Sequence, residues 1–352
     1  MTWLLAAAGL ALAAWLAAAA YLFVVQRRIM YPASREAPSP LLVPGRAPRA
    51  VETRAADGVA CGHWYWPAAA GRATVALFHG NAGHLGDRVA KYWPLVQAGH
   101  GLLLCGYRGY GGNPGQPTEP GLLADARAAL DWLAGPGGAA PRLHGEWLGA
   151  AVAVALAAGG RGGALVLEAP FDRAASVGAA VYWWLPVRRL IRDRWDSLGR
   201  IGRVRQPLLW LHGTDDAITP LAMGQRLYDA APGRKRAVIV EGGGHVEFLE
   251  RPEVMAELLA FVQAAPRRTA DEQKDARALH AHPRADLAHG AEVARRRCLR
   301  HALRPGILGP RHPGHPGHRR SQAHGGLDRE RQRMALRHRR LRALRQLHHP
   351  AP

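Results

Sequence analysis

The sequence predicts an α/β fold: a largely parallel central sheet flanked by helices. Three observations carry this. Short, nearly continuous apolar runs recur between residues 74 and 240, several ending at a glycine. Strands buried on both faces read this way, whereas half-exposed strands alternate. Stretches of helical length and period lie between the runs, and strand–helix alternation implies parallel crossovers. Finally, the polar residues with catalytic chemistry fall just after the runs, where ligands sit in such sheets.

The elements follow in order. Trp3 to Val25 carries no charged residue, and Gln26, Arg27 and Arg28 end it. As a helix it is roughly 34 Å long, enough to cross a hydrocarbon core. A cleaved signal peptide would want a positive n-region and a shorter apolar core. Residues 1–28 are therefore expected to be an uncleaved single-pass anchor. Arg27 and Arg28 follow the span, which favours the main domain in the cytoplasm. Residues 29–49 read as a Pro-rich spacer. A hairpin is expected next, with strands near Ala50–Arg54 and Val59–Trp66 and Asp57-Gly58 at the turn. "TVALFHG" (Thr74–Gly80) is the first buried strand. Asp87–Gly99 is helix-like, with Pro94 inside it, and "GLLLCGY" is a second buried strand. Gly121–Gly135 is an amphipathic helix closed by glycine. "RLHGEWLGAAVAVALAAGG" (Arg142–Gly160) reads as a strand end, a tight turn and a small-residue helix. "GGALVLEAP", "PLLWLHG" and "RAVIVEGGGH" are three further strands, and Pro252–Ala265 is a last helix. The folded domain thus spans 50–265.

Residues 266–352 are different. They hold 21 Lys and Arg against 7 Asp and Glu, and no aromatic residue follows Phe261. Most of the formal net charge of +20 therefore describes this Arg/His/Pro-rich tail rather than the folded part. No core can be built from such a mixture, and disorder is expected. It is also what a G+C-rich gene yields when translated out of frame. Binding of anionic lipid or nucleic acid, or a weak metal site at His312, His315 and His318, are the functional rivals. No nucleic-acid motif or stacking aromatic supports recognition, so no nucleic-acid partner is expected. Cys61, Cys105 and Cys298 are scattered, with neither zinc-site nor disulfide-framework spacing. No metal or cofactor is expected.

Acyl transfer through a serine needs a nucleophile on a strained elbow, a base, an acid that orients the base, and backbone donors for the oxyanion. At Gly145-Glu146-Trp147-Leu148-Gly149 both glycines of the Gly-x-Ser-x-Gly elbow stand in place, and the nucleophile position holds Trp147. The base candidate is His245, in a glycine-rich loop after the last strand. The acid candidate lies in "LHGTDDAITP", where Asp216 fits the spacing better than Asp215. The bland alternative is that these aspartates only cap local amides. Thr219 is expected to cap the following helix, with Pro220 at its first position. The oxyanion donors would be the amides of Leu148 and of Asn81 in "FHGNAGH".

The chain order elbow, Asp, His and the blocks "YPAS", "LFHGNAGHLGDR", "GYRGYGGNPGQPTEPGLLADARAALDWL", "HGEWLGAAVAVALA", "LHGTDDAITP" and "GGGHVEF" resemble the α/β-hydrolase superfamily. The likeness is in particular to its membrane-anchored branch with serine-aminopeptidase-like domains, over about residues 1–265. The resemblance implies an α/β-hydrolase fold with a short helical lid at about 171–206. It implies a Ser–His–Asp hydrolase of esters, thioesters or amides, with a small-molecule or lipid-like acyl substrate. In the lid, Trp183 and Trp184 are candidates for a substrate or membrane-facing wall. Two departures, Gly106 where members carry Asp and Asn113 where serine is common, bear on loop structure. The third, Trp147, removes acyl-enzyme chemistry, because an indole is no nucleophile at neutral pH. Its origin stays open: genuine loss of catalysis, or a mutation or reading error, since TCG and TGG differ by one base. A bulky residue at an elbow of positive φ is strained, so either a relaxed turn or a filled pocket is expected. The chain reads as an inactive or impaired hydrolase, or alternatively as a non-catalytic binding or scaffold protein at the membrane.

Overall fold

A computed structural model describes residues 2–39, 45–135 and 140–264. The tail, with Cys298 and the His312, His315 and His318 group, lies outside the described residues, as does Ala265. Among them, eight strands form one sheet in the order β1-β2-β4-β3-β5-β6-β7-β8. β1 (Arg49–Arg54) and β2 (Ala60–Trp66) make the antiparallel hairpin, and β2 joins β4 (Gly101–Cys105) antiparallel. From β4 through β3 (Thr74–Phe78), β5 (Arg142–Glu146), β6 (Ala164–Glu168), β7 (Leu208–Gly213) and β8 (Lys235–Val240) every pairing is parallel. The continuous apolar runs mark this part because helices cover both its faces. α2 (Val89–Gln97) and α9 (Pro252–Gln263) pack on Val75, Leu77, Leu102 and Leu104. α3 (Glu119–Ala134), α4 (Leu148–Ala158) and α8 (Leu221–Ala230) pack on Ala76, Phe78, Leu103 and Leu143. Alternate residues of one strand thus feed two cores.

Order reverses at β3, which has β4 on one side and β5 on the other. Such a switch point opens a crevice at the carboxyl ends of the strands. Over it lies a cap of α5 (Ala174–Val181), α6 (Val187–Leu190) and α7 (Leu198–Ile201), between β6 and β7.

The N-terminal helix, α1, runs from Thr2 to Met30, five residues beyond the apolar stretch. It is long and apolar enough to cross a membrane, with a mean hydropathy of 2.1 over its best window. Its last turns are not a free tether. Arg27 holds the buried Asp193 carboxylate by two bonds, Nε to Oδ2 at 2.8 Å and Nη2 to Oδ1 at 3.1 Å. Gln26 donates to the Leu190 carbonyl and accepts from the Arg192 amide at 2.8 Å. Tyr31, in the stretch expected to be a spacer, is buried and its hydroxyl accepts from Trp195 Nε1 at 2.9 Å. Ala33 then bridges Gly83. Gln26 and Arg27 therefore face the cap.

Arg27→Ala strips the buried Asp193 carboxylate of its guanidinium and leaves it the Glu119 amide. It is expected to cost about 2 kcal/mol, below the usual value for a fully buried pair because Arg27 is 34% exposed. Thermal melting of the full chain in detergent micelles checks this. An unchanged melting temperature would mean that the pair does not latch α1 to the cap.

Candidate functional site

The site is assembled at the switch point. α4 must start immediately after β5 and lean onto the end of β3. A Cβ added at Gly149 would lie 1.8 Å from the Phe78 carbonyl oxygen, so only glycine permits this approach. The sharp turn puts Trp147 at φ 49°, ψ −101°. The turn is not relaxed: the Trp147 amide donates to the Glu168 carbonyl at 2.9 Å, and the Ala150 amide to the Trp147 carbonyl at 3.0 Å. The indole instead takes the space in front of His245 and leaves an apolar cavity beside it. It is half-buried, and its Nε1 donates to Thr219 Oγ1 at 2.8 Å. Its ring meets Phe171 edge-on at 5.7 Å and the His245 imidazole at 5.8 Å.

His245 and Asp216 meet, as the spacing suggested. Nδ1 of His245 lies 2.8 Å from Asp216 Oδ2. The carboxylate divides its work: Oδ1 accepts from the amides of Ile218 at 2.9 Å and Thr219 at 2.7 Å. It therefore both caps local amides and orients the histidine. His212, which sequence reasoning missed, adds to this. Its Nδ1 accepts from Trp210 Nε1 at 3.1 Å, so its Nε2 carries the proton. That nitrogen donates to the Thr219 carbonyl at 2.8 Å and lies 3.4 Å from Asp216 Oδ2. Burial alone would raise the Asp216 pKa, but the His212 and His245 bonds and the Thr219 amide hold it well below the usual carboxylate range. Asp215 stays at the surface, bonded to Thr214 at 3.0 Å.

Thr219 departs from expectation. α8 begins at Leu221 with Pro220 as its N-cap residue, so the Thr219 hydroxyl is free to take the indole N–H. Asn81 and Leu148 flank the same pocket. Among the described residues neither backbone amide donates a hydrogen bond. The Asn81 side chain donates to the Met30 carbonyl at 2.9 Å, and the Asn81 backbone carbonyl accepts from the Tyr110 hydroxyl at 2.9 Å.

The pocket itself is about 240 Å³ and almost wholly apolar, walled by Trp147, Phe171, Val177, Val181, Tyr182 and Leu185 with the end of α1. Trp183 and Trp184, candidates for a substrate wall or a membrane-facing one, do not line it. α5 ends at Val181, and the following turn sends Trp183 outward, 81% exposed. The inward face of α5 is instead Ala174, Val177, Gly178 and Val181, one helical stripe. The two other departures are local. A Cβ at Gly106 would lie 2.1 Å from the Gly62 carbonyl oxygen. Asn113 uses its amide to bond the Gly62 amide at 2.8 Å and the Tyr107 carbonyl at 3.1 Å. Cys105 is buried inside β4, and burial pushes its thiol up, away from a reactive thiolate.

Behind the elbow lies a buried ionic cluster. Glu146 accepts from Arg88 Nη2 at 2.8 Å, Lys91 Nζ at 3.0 Å and the Gly80 amide at 3.3 Å. Lys91 also bonds Glu168, whose other oxygen accepts from Tyr92 at 2.6 Å. Burial would raise the Glu146 carboxyl, but Lys91 and Arg88 outweigh it and hold it down at about 2. The Gly80 bond ties the loop that carries Asn81 to the end of β5, one residue before Trp147.

No family model matches the chain. Over 232 residues it is 44% identical to the uncharacterized proteins MT2364 and Rv2307c of Mycobacterium tuberculosis, across 64% of this chain and 82% of theirs. It is 30% identical over 190 residues to alpha/beta hydrolase domain-containing protein 17C of Xenopus tropicalis, across 51% of this chain and 60% of that protein. Among solved structures, the Pyrococcus furiosus esterase Pf2001 superposes with a TM-score of 0.54 at 19% identity, over 67% of this chain and 99% of that one. At that identity the likeness is one of fold.

The Glu146 carboxyl is depressed in the folded chain, so its contribution to stability is complete above the unfolded value of about 4.3 and lost as pH falls through about 2. The melting temperature of the full chain should therefore fall on acidification below about pH 5, and fall less steeply in Glu146→Gln. Lys91→Met, which leaves two buried carboxylates to Arg88, Tyr92 and His144, is expected to cost about 3 kcal/mol at neutral pH. Equal pH slopes in the Glu146→Gln and unmodified chains would count against the cluster's electrostatic role.

Proposed function

We infer that this chain, which belongs to the α/β-hydrolase superfamily, carries a Ser–His–Asp acyl site whose nucleophile position is occupied by Trp147, leaving it inactive or strongly impaired as a hydrolase. The observation that carries this reading is the His245–Asp216 pair, at 2.8 Å, with its imidazole against the elbow residue. With Nδ1–H given to Asp216, Nε2 is the basic nitrogen, and Asp216 stabilises the imidazolium that would form. The amides of Leu148 and Asn81 would receive the oxyanion, since both border the pocket and neither is spent elsewhere among the described residues. Such chemistry needs no metal or cofactor. The substrates would be esters, thioesters or amides of a small or lipid-like acyl group; the Pyrococcus neighbour is an esterase. Residues 3–25 would hold the protein in the membrane as a single pass, with the main domain in the cytoplasm.

What is missing is an atom to attack the carbonyl. The indole has no usable lone pair, and its edge lies where a serine hydroxyl would face His245. A water activated by the His–Asp pair would need the room the indole takes.

A second reading, a non-catalytic binding or scaffold protein at the membrane, is favoured by one observation. The indole is not merely tolerated: Thr219, Phe171 and His245 together fix it.

The two readings separate on one substitution. In Trp147→Ser, assayed as the full chain in detergent with a short activated ester, turnover is expected at least roughly 10³-fold above the unmodified chain. Both forms silent would favour the binding protein. Strong turnover by the tryptophan form would overturn the assignment of position 147 as the nucleophile's.

A further inference from the structure

We propose that Ala19–Met30 of α1 form one wall of the acyl pocket, which takes the single long chain of a membrane amphiphile entering from the lipid side between α1 and the cap. The inference rests on the acyl-site reading above.

A membrane anchor has no need to touch a site, yet this one does. Ala19, Leu22, Phe23, Ile29 and Met30 line the pocket opposite the inward stripe of α5. Among the described residues, hydrogen bonds between α1 and the cap lie toward the two ends of the contact. At the inner end are the Arg27–Asp193 pair, the Gln26 bonds and the Asn81 bond to the Met30 carbonyl. At the outer end Trp15 Nε1 donates to the Trp184 carbonyl at 3.2 Å. Fifteen residues of helix separate Trp15 from Met30, about 22 Å. Between those ends Ala19, Leu22 and Phe23 face the cap, and the seam from Ala19 to Met30 is the pocket. Its deep end is polar: Asn81 and Leu148 offer free amides there, beside His245 and Trp147. An apolar pocket with hydrogen-bond donors at its inner end fits an acyl chain with its carbonyl inward.

The outer end fits lipid. The helix is apolar from Trp3 to Val25, and where it enters a bilayer the tip of the cap must follow, since the two are bonded at Trp15. That tip presents Val181 at 62% exposure and Trp183 at 81%, with Arg188, Arg189 and Arg192 just beyond. Aromatic and arginine side chains in this order suit the boundary between acyl chains and headgroups. The mouth of the pocket then opens onto lipid.

The test uses the full, unsubstituted chain in phosphatidylcholine nanodiscs. The probe is a monopalmitoylglycerol with a diazirine at mid-chain, photolysed with and without excess unlabelled monopalmitoylglycerol, and adducts are mapped by mass spectrometry. Competed adducts are expected on both Ala19–Met30 and Ala174–Val181. Labels on the outer face of α1, such as Leu5 and Leu12, should not be competed. Competed adducts on α5, Phe171 or Trp147 with none on α1 would leave the acyl site standing and overturn the wall. Absence of any competed adduct would overturn both. Ala19→Phe, which places a ring in the pocket, should lower competed labelling of α5 about tenfold, the loss expected from excluding about two chain methylenes. Unchanged labelling in that variant would also overturn the wall.

Discussion

The close approach of α4 to the end of β3, possible because Gly149 leaves nothing between its backbone and the Phe78 carbonyl, governs the rest of the site. It forces the turn at 147 into positive φ and lifts that side chain over the sheet. It also sets the Leu148 amide toward the same cavity as Asn81. The turn is held by backbone bonds to Glu168 and from Ala150, so the side chain at 147 has little leverage over its geometry. This accounts for how a tryptophan can occupy a place that disfavours any bulky residue. A strain of order 1–3 kcal/mol is carried by the packed backbone around it, and the indole recovers part through one hydrogen bond and two ring contacts.

The same region pays for function in charge. Two carboxylates at the ends of β5 and β6, one of them next to the elbow, are buried and would be costly alone. Arg88 and Lys91 from the start of α2 neutralise them, and Glu146 spends one of its oxygens partly on the Gly80 amide. In this way the loop after β3 and the elbow after β5 are fastened to one another from below. Asn81 and Leu148, which border the pocket, are thus positioned by groups that do not touch it.

Much of this was legible in the chain. Continuous apolar runs between helical stretches announce a covered parallel sheet, and the order of Trp147, Asp216 and His245 announces where its loops converge. What was not legible depends on direction rather than identity. Gln26, Arg27 and Arg28 look like the polar stop after an apolar span, whereas Gln26 and Arg27 are the bonds that seat the helix on the cap. Trp183 and Trp184 read equally as a substrate wall or a membrane-facing one, and the turn after α5 decides against the first. Thr219 looks like a helix cap, yet Pro220 fills that position and frees the hydroxyl for the indole. His212 carries no sequence signal at all, because an isolated histidine inside an apolar strand gives no hint that it shares the Asp216 carboxylate.

The seating of α1 bears on how such a protein can be handled. Long apolar N-terminal helices are often cut away to obtain a water-soluble domain, on the premise that helix and domain are independent modules. Here that cut would strip Asp193 of its guanidinium, open one side of the pocket to water and expose Tyr31's partner Trp195 at a backbone position of positive φ. A shortened chain of this kind would be a different molecule in the one region where its chemistry is decided. Inactivity measured on it would speak of the missing helix before it spoke of the tryptophan.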